Sequence, residues 1–81
     1  MNDKDALDLI NSVVREALDN DTIVLSADST AADTPGWDSI AQVNIVVSLE
    51  QKLGRAFTTQ QIESFQSVGD LMHAVRAVTG S

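Results

Sequence analysis

Between Pro35 and Gly54 the chain spells out one helix with both ends marked, and this stretch most narrows the folds open to it. Pro35 and Gly36 are turn residues that stop a helix from extending backwards. Asp38 is a good N-cap, because its carboxylate accepts from free backbone N–H groups and suits the positive end of the helix dipole. The expected helix runs from about Ser39 to about Leu53. Gly54 then supplies a left-handed stop, and Lys52 sits favourably in the last turn. At ~100° per residue, Ile45, Val46, Leu49 and Leu53 make one apolar stripe, and Ile40, Val43 and Val47 make a second on roughly the opposite side. The first stripe has the steps of a helix seated in a core. The second either meets the loop or a neighbouring helix, or stays open as a strip that other proteins grip.

The rest of the chain has to supply the cover. A first helix is expected from about Asp3 to about Asp19, capped by Asn2 or Asp3, with Leu7, Ile10, Val14 and Leu18 as its stripe and Ala6, Val13 and Ala17 widening it. Asp5, Asp8, Asn11, Arg15 and Asp19 form its opposite, solvated face. Residues 20–37 hold no sustained period and read as a long loop, with Ile23 and Leu25 plugging it onto the bundle. Ala31 and Thr34 are poor anchors, so that loop is expected to be mobile, and Trp37 reads as a packing residue at the loop–helix junction. Phe57 anchors the return. Capping boxes at Thr58–Gln61 and Ser67–Asp70 open a short third helix to about Ser64 and a last helix to about Thr79. Ile62 and Phe65 face inward from the short one, while Val68, Leu71, Met72, Val75 and Val78 line the last. Gly80 and Ser81 are expected to fray. The fold expected is all-α: a small antiparallel four-helix bundle of three longer helices and one short one, in a single domain over 1–81.

Composition excludes several functions. The 81 residues make a small domain with little room for an internal catalytic cleft. The absence of cysteine rules out disulfides and thiolate metal sites, and fits a cytoplasmic protein. No apolar run approaches the ~20 residues needed to span a membrane. A net charge of −7 argues against nucleic acid and anionic lipid surfaces and suits basic partners. That charge is uneven: residues 1–38 hold nine acids against Lys4 and Arg15, whereas three acids balance three bases from Ser39 onward. Asp28, Asp33 and Asp38, spaced by five on a loop, form no metal-binding pattern. Ser39 lacks a nucleophile elbow, and the one histidine, His73, falls on the solvent side of its helix, so catalysis by this chain alone is not expected.

Ser39 has a different chemical promise. Its hydroxyl stands at the first helical position, beside unpaired N–H donors that suit an attached phosphate. Asp38-Ser39-Ile40 near the middle of a very short chain, Leu49-Glu50 in the helix behind it, and Phe57 ahead of two capped helices together resemble the acyl carrier protein family. The resemblance covers nearly the whole chain, most firmly from Asp33 to Val78. It implies that Ser39 carries a covalent 4′-phosphopantetheine arm whose thiol holds acyl groups as thioesters. A separate phosphopantetheinyl transferase would attach the arm, reading Asp38, and acyl-loading, condensing or acyl-transferring enzymes would dock on Trp37, Ile40, Val43 and Val47. It further implies a bundle interior that parts for an acyl chain, with Ile45, Val46, Leu49 and Leu53 on one side and Phe57, Ile62 and Leu71 on the other. A monomer is implied, since a carrier visits several enzymes.

One departure bears on the pathway. Carriers of general fatty-acid synthesis crowd acids along the helix after the serine, but this chain has Ala41, Gln42, Asn44, Ser48 and Gln51 there, with only Glu50 acidic. That points to a specialised fatty-acid or polyketide-type pathway. D-alanyl-like aminoacyl carriers, which share the Asp, remain an alternative, as do peptidyl carriers, which usually have His in its place. The rival of another class is an unmodified helical interaction module in which Ile40, Val43 and Val47 are an ordinary binding strip.

Overall fold

The computed structural model describes residues 2–80, in which four helices pack as a small bundle: α1 (Asp3–Ala17), α2 (Ser39–Leu53), α3 (Thr59–Glu63) and α4 (Val68–Thr79). α1 lies between α2 and α4 and packs on both. Ala6, Ile10, Val13 and Val14 from α1 meet Ile45, Val46 and Leu49 from α2 and Val68, Leu71, Ala74 and Val75 from α4 in one buried cluster. Burying an aliphatic side chain of this size contributes about 1.5–3 kcal/mol, so this cluster stabilises the bundle more than any polar contact does.

Each boundary has a local cause. Asn2 caps α1 by accepting from the Asp5 N–H at 2.8 Å. Although the apolar pattern carries α1 to about Asp19, the helix ends at Ala17 because Asp19 turns left-handed at φ +50°. The Asn20 N–H then reaches back to the Arg15 carbonyl at 3.0 Å and the Asp19 N–H to the Glu16 carbonyl at 3.3 Å, the double bond of a Schellman stop. Gly54 ends α2 at φ +67°, a conformation costly for residues with a Cβ. Both expected capping boxes form, Thr58 with Gln61 and Ser67 with Asp70. Gly80, where fraying was expected, ends α4 in a left-handed conformation with its N–H on the Arg76 carbonyl; Ser81 lies outside the described residues.

The long loop departs most from the sequence reading. Asn11, placed on the solvated face of α1, is buried: its Oδ1 accepts from the Leu25 N–H at 2.7 Å and its Nδ2 donates to the Leu25 carbonyl at 3.3 Å. Arg15, on that same face, donates from Nε to the Ile23 carbonyl at 2.6 Å. The acidic remainder of the face (Asp5, Asp8 and Asp19) is exposed as expected. Leu25 is buried and Ile23 half-buried, so both plug the loop onto the bundle. Further on, the loop lies across the start of α4. The Val68 N–H donates to the Ser29 carbonyl at 2.8 Å and the Gly69 N–H to the Ala27 carbonyl at 2.9 Å, with a bridge pairing Thr30 and Ser67. These bonds satisfy N–H groups that a helix start leaves open. Gly69 permits the approach, since a Cβ there would sit 3.1 Å from the Ala27 oxygen. Thr34, read as a poor anchor, is buried with its hydroxyl on the Thr30 carbonyl at 2.8 Å. Beyond Leu25, hydrogen bonds rather than large apolar side chains fasten this loop.

Candidate functional site

Ser39 and Asp38 are both exposed where the loop delivers the chain into α2. The hydrogen-bond inventory of this helix start is specific. The Asp38 N–H donates to the Gly36 carbonyl at 3.1 Å, and the Ala41 N–H to Asp38 Oδ1 at 2.8 Å. The Gln42 N–H begins the regular ladder on the Asp38 carbonyl at 2.9 Å. Of the first-turn donors, those of Ser39 and Ile40 are left for an outside acceptor. An oxyanion joined to the Ser39 hydroxyl would find these two N–H groups and the positive end of the dipole beside it. The Asp38 carboxylate is turned to Ala41, so it caps the helix without occupying those two donors. A phosphodiester therefore fits the residues present.

Two surfaces flank the serine. On one side, Ile40 is 74% exposed, Val43 60% and Val47 44%, so the second stripe of α2 is an open apolar strip and no loop or helix of the described chain covers it. α2 holds only Glu50 and Lys52 as charges, and the Glu50 carboxylate accepts from the Phe57 N–H at 2.8 Å. The strip is apolar with polar, uncharged neighbours. On the other side lies an open groove of about 380 Å³ lined by Ser39 itself, Asp38, Trp37, Gln42, Ile62, Phe65 and Ala31. Trp37 belongs here rather than with the strip: it is half-buried against the core, and its indole N–H donates to Gln42 Oε1 at 2.7 Å.

The residues expected to line an acyl pocket are mostly packed shut in the core. Ile45 and Leu49 are fully buried, Val46, Phe57 and Leu71 nearly so, and Leu53 and Ile62 half-buried. Of the seven, Ile62 borders the open groove and Leu71 the small void behind it. Gln42 and Ala31 at that groove had no signal in the apolar pattern. Phe65, expected inward, packs edge-on against Phe57 with ring centres 5.7 Å apart and also forms a groove wall. His73 is exposed, and among the described residues no three His, Cys, Asp or Glu side chains come together to hold a metal. No helix among them is long and apolar enough to cross a membrane.

Comparison with known proteins agrees with this arrangement. Residues 8–75 match the family model described as the phosphopantetheine attachment site. The chain is 32% identical over 65 residues to acyl carrier protein MbtL of Mycolicibacterium paratuberculosis, covering 80% of this chain and 73% of that one. It is 30% identical over 66 residues to acyl carrier protein MbtL of Mycobacterium bovis, covering 82% of this chain and 79% of that one. Among solved structures, the solution structure of a holo acyl carrier protein from Geobacter metallireducens superposes with a TM-score of 0.86 at 32% identity, covering 93% of this chain and 86% of that one.

Proposed function

The chain is an acyl carrier protein of the phosphopantetheine-attachment family, and from that membership we propose that Ser39 is the residue that bears its covalent 4′-phosphopantetheine arm. The single observation that supports this most is the exposed Ser39 hydroxyl beside two unpaired N–H groups at the head of α2. When attached, the arm supplies a terminal thiol on which acyl groups are held as thioesters. The protein's own residues then do three things. Asp38 fixes the helix start and offers a charge for the transferase to read. The Ser39 and Ile40 N–H groups steady the phosphodiester. Ile40, Val43 and Val47 give enzymes an apolar foothold next to the arm.

The chain acts in this reading as a carrier, with bond-making left to partners. These are a phosphopantetheinyl transferase and acyl-loading, condensing or acyl-transferring enzymes, which the protein visits as a cytoplasmic monomer. The uncharged polar residues around the strip favour a specialised fatty-acid or polyketide-type pathway over one served by basic docking surfaces. Tethering raises the effective concentration of an intermediate at each active site, which weak binding of a free thioester would not do.

The test is loading. Wild-type protein incubated with acyl-coenzyme A and a promiscuous transferase is expected to gain an acylated arm, whereas Ser39→Ala keeps its helical circular dichroism and gains nothing. An acylated Ser39→Ala protein would remove this serine from the account.

A further inference from the structure

From Ser26 to Thr34 the chain has no apolar side chain larger than alanine, so burial does little to offset the entropy of ordering this stretch. It is ordered instead by a run of hydrogen bonds that begins on α4. There the Val68 and Gly69 N–H groups hold the Ser29 and Ala27 carbonyls. The Thr34 hydroxyl donates to the Thr30 carbonyl at 2.8 Å, and the Thr34 N–H to the Ala31 carbonyl at 3.1 Å. The Trp37 N–H then donates to the Thr34 carbonyl at 3.2 Å, and the Asp38 N–H to the Gly36 carbonyl at 3.1 Å. Residues 27–38 are thus one bonded strap, with α4 at one end and the cap beside Ser39 at the other. Two residues make it possible. Gly69 leaves room, since a Cβ there would lie 3.1 Å from the Ala27 oxygen, closer than carbon and oxygen ordinarily approach. Thr34 is buried, and its one hydroxyl proton closes the turn in the middle.

We propose that Gly69 and Thr34 are positioning residues for attachment of the arm: they hold the strap in order, so a transferase meets a finished surface leading up to Ser39. This rests on Ser39 as the attachment residue. In that step the Ser39 oxygen bonds to the phosphorus nearest the pantetheine of coenzyme A. The pyrophosphate P–O bond breaks, adenosine bisphosphate leaves, and the serine proton passes to a base of the transferase. Neither positioning residue touches the reacting atoms. Ile45 and Leu49 seat α2 in the core and Asp38 caps it on Ala41, so the serine keeps its place when the strap loosens. What changes is the cost of docking, because an enzyme that contacts the residues ahead of Ser39 must then order them itself. The effect falls on KM and leaves kcat.

Steady-state loading, with coenzyme A saturating and the carrier concentration varied, tests this. Gly69→Ala crowds the Ala27 carbonyl while alanine favours the helix more than glycine does, so the fold is not lost with the strap. Thr34→Val removes the hydroxyl at nearly constant shape, and Thr34→Ser restores it. Gly69→Ala and Thr34→Val are each expected to raise KM for the carrier about threefold or more, with kcat within about 1.5-fold of wild type. Thr34→Ser, and His73→Ala on the exposed side of α4, should stay within about 1.5-fold of wild type in both constants. In Gly69→Ala the Val68 amide proton should exchange faster than in wild type, which reports the loosened strap directly. A wild-type KM in either variant, a fall in kcat in its place, unchanged Val68 exchange, or Thr34→Ser as impaired as Thr34→Val overturns the proposal and leaves Ser39 standing. A wild-type protein that gains no arm by intact mass overturns the Ser39 assignment as well, so the two failures are distinguishable.

Discussion

Asp38 has an observed role as helix cap and a proposed one in transferase recognition, and a pair of substitutions separates them. As the cap on Ala41 it stabilises α2, and Asp38→Ala is expected to cost about 1 kcal/mol. Asn caps nearly as well but is uncharged, so Asp38→Asn should melt within a degree or two of wild type yet be modified at least tenfold more slowly; an unchanged rate would remove the recognition role. Asn11 is the other polar residue with a large effect in prospect. Its amide satisfies both backbone groups of Leu25 in a buried setting, and Asn11→Ala leaves them unpaired. A loss of about 2 kcal/mol is expected, read in thermal denaturation as roughly 8–16 °C for a domain of this size. A melting temperature unchanged to within about 2 °C would show that the loop is held elsewhere. Neither the burial of Asn11 nor its partner was readable in the sequence. Helical periodicity assigns it to the polar face, and Leu25 lies 14 residues away in a stretch with no period.

At the scale of the element, the helices were the readable part. α2 runs between the residues that punctuate it, Asp38 and Gly54, and α4 starts at its Ser67 cap, because caps and apolar steps are local signals; the Gly80 stop of α4 was not read as one. α1 ends at Ala17, with Leu18, the last of its apolar stripe, as the cap, because Asp19 turns left-handed, a conformation open to aspartate that apolar spacing does not mark. The loop's attachment to α4 runs through the Ala27 and Ser29 carbonyls, which every residue possesses, so no side chain announced it. The second stripe of α2 was visible, but whether any part of the chain covers it required the neighbours: Ile40, Val43 and Val47 are open. On this strip Val43→Asp should leave stability within about 0.5 kcal/mol, as for an exposed position. It should weaken docking of an acyl-loading enzyme tenfold or more, the effect of losing ~1.4 kcal/mol of apolar contact. Because the face is nearly free of charge, raising the salt concentration through the range that screens surface charges should change wild-type affinity by less than about threefold. A steep salt dependence in the same titration would move docking to the acidic first half.

Across the whole molecule, the charge and the open apolar surface are separated. The net −7 belongs to residues 1–38, while the apolar strip and the groove flank a serine at the head of a nearly neutral helix. The bundle is small and closed, so what distinguishes one carrier from another has to be written on its surface near the arm. The groove itself was not readable in advance: Trp37, Gln42, Ile62 and Phe65 come together only once α3 is folded beside the start of α2. The most direct test of the central assignment is intact-mass analysis with fragmentation, after incubation with coenzyme A and a broad-specificity transferase. The expected result is one added phosphopantetheine, mapped to Ser39. An unchanged mass, or an arm mapped to another serine, would contradict it.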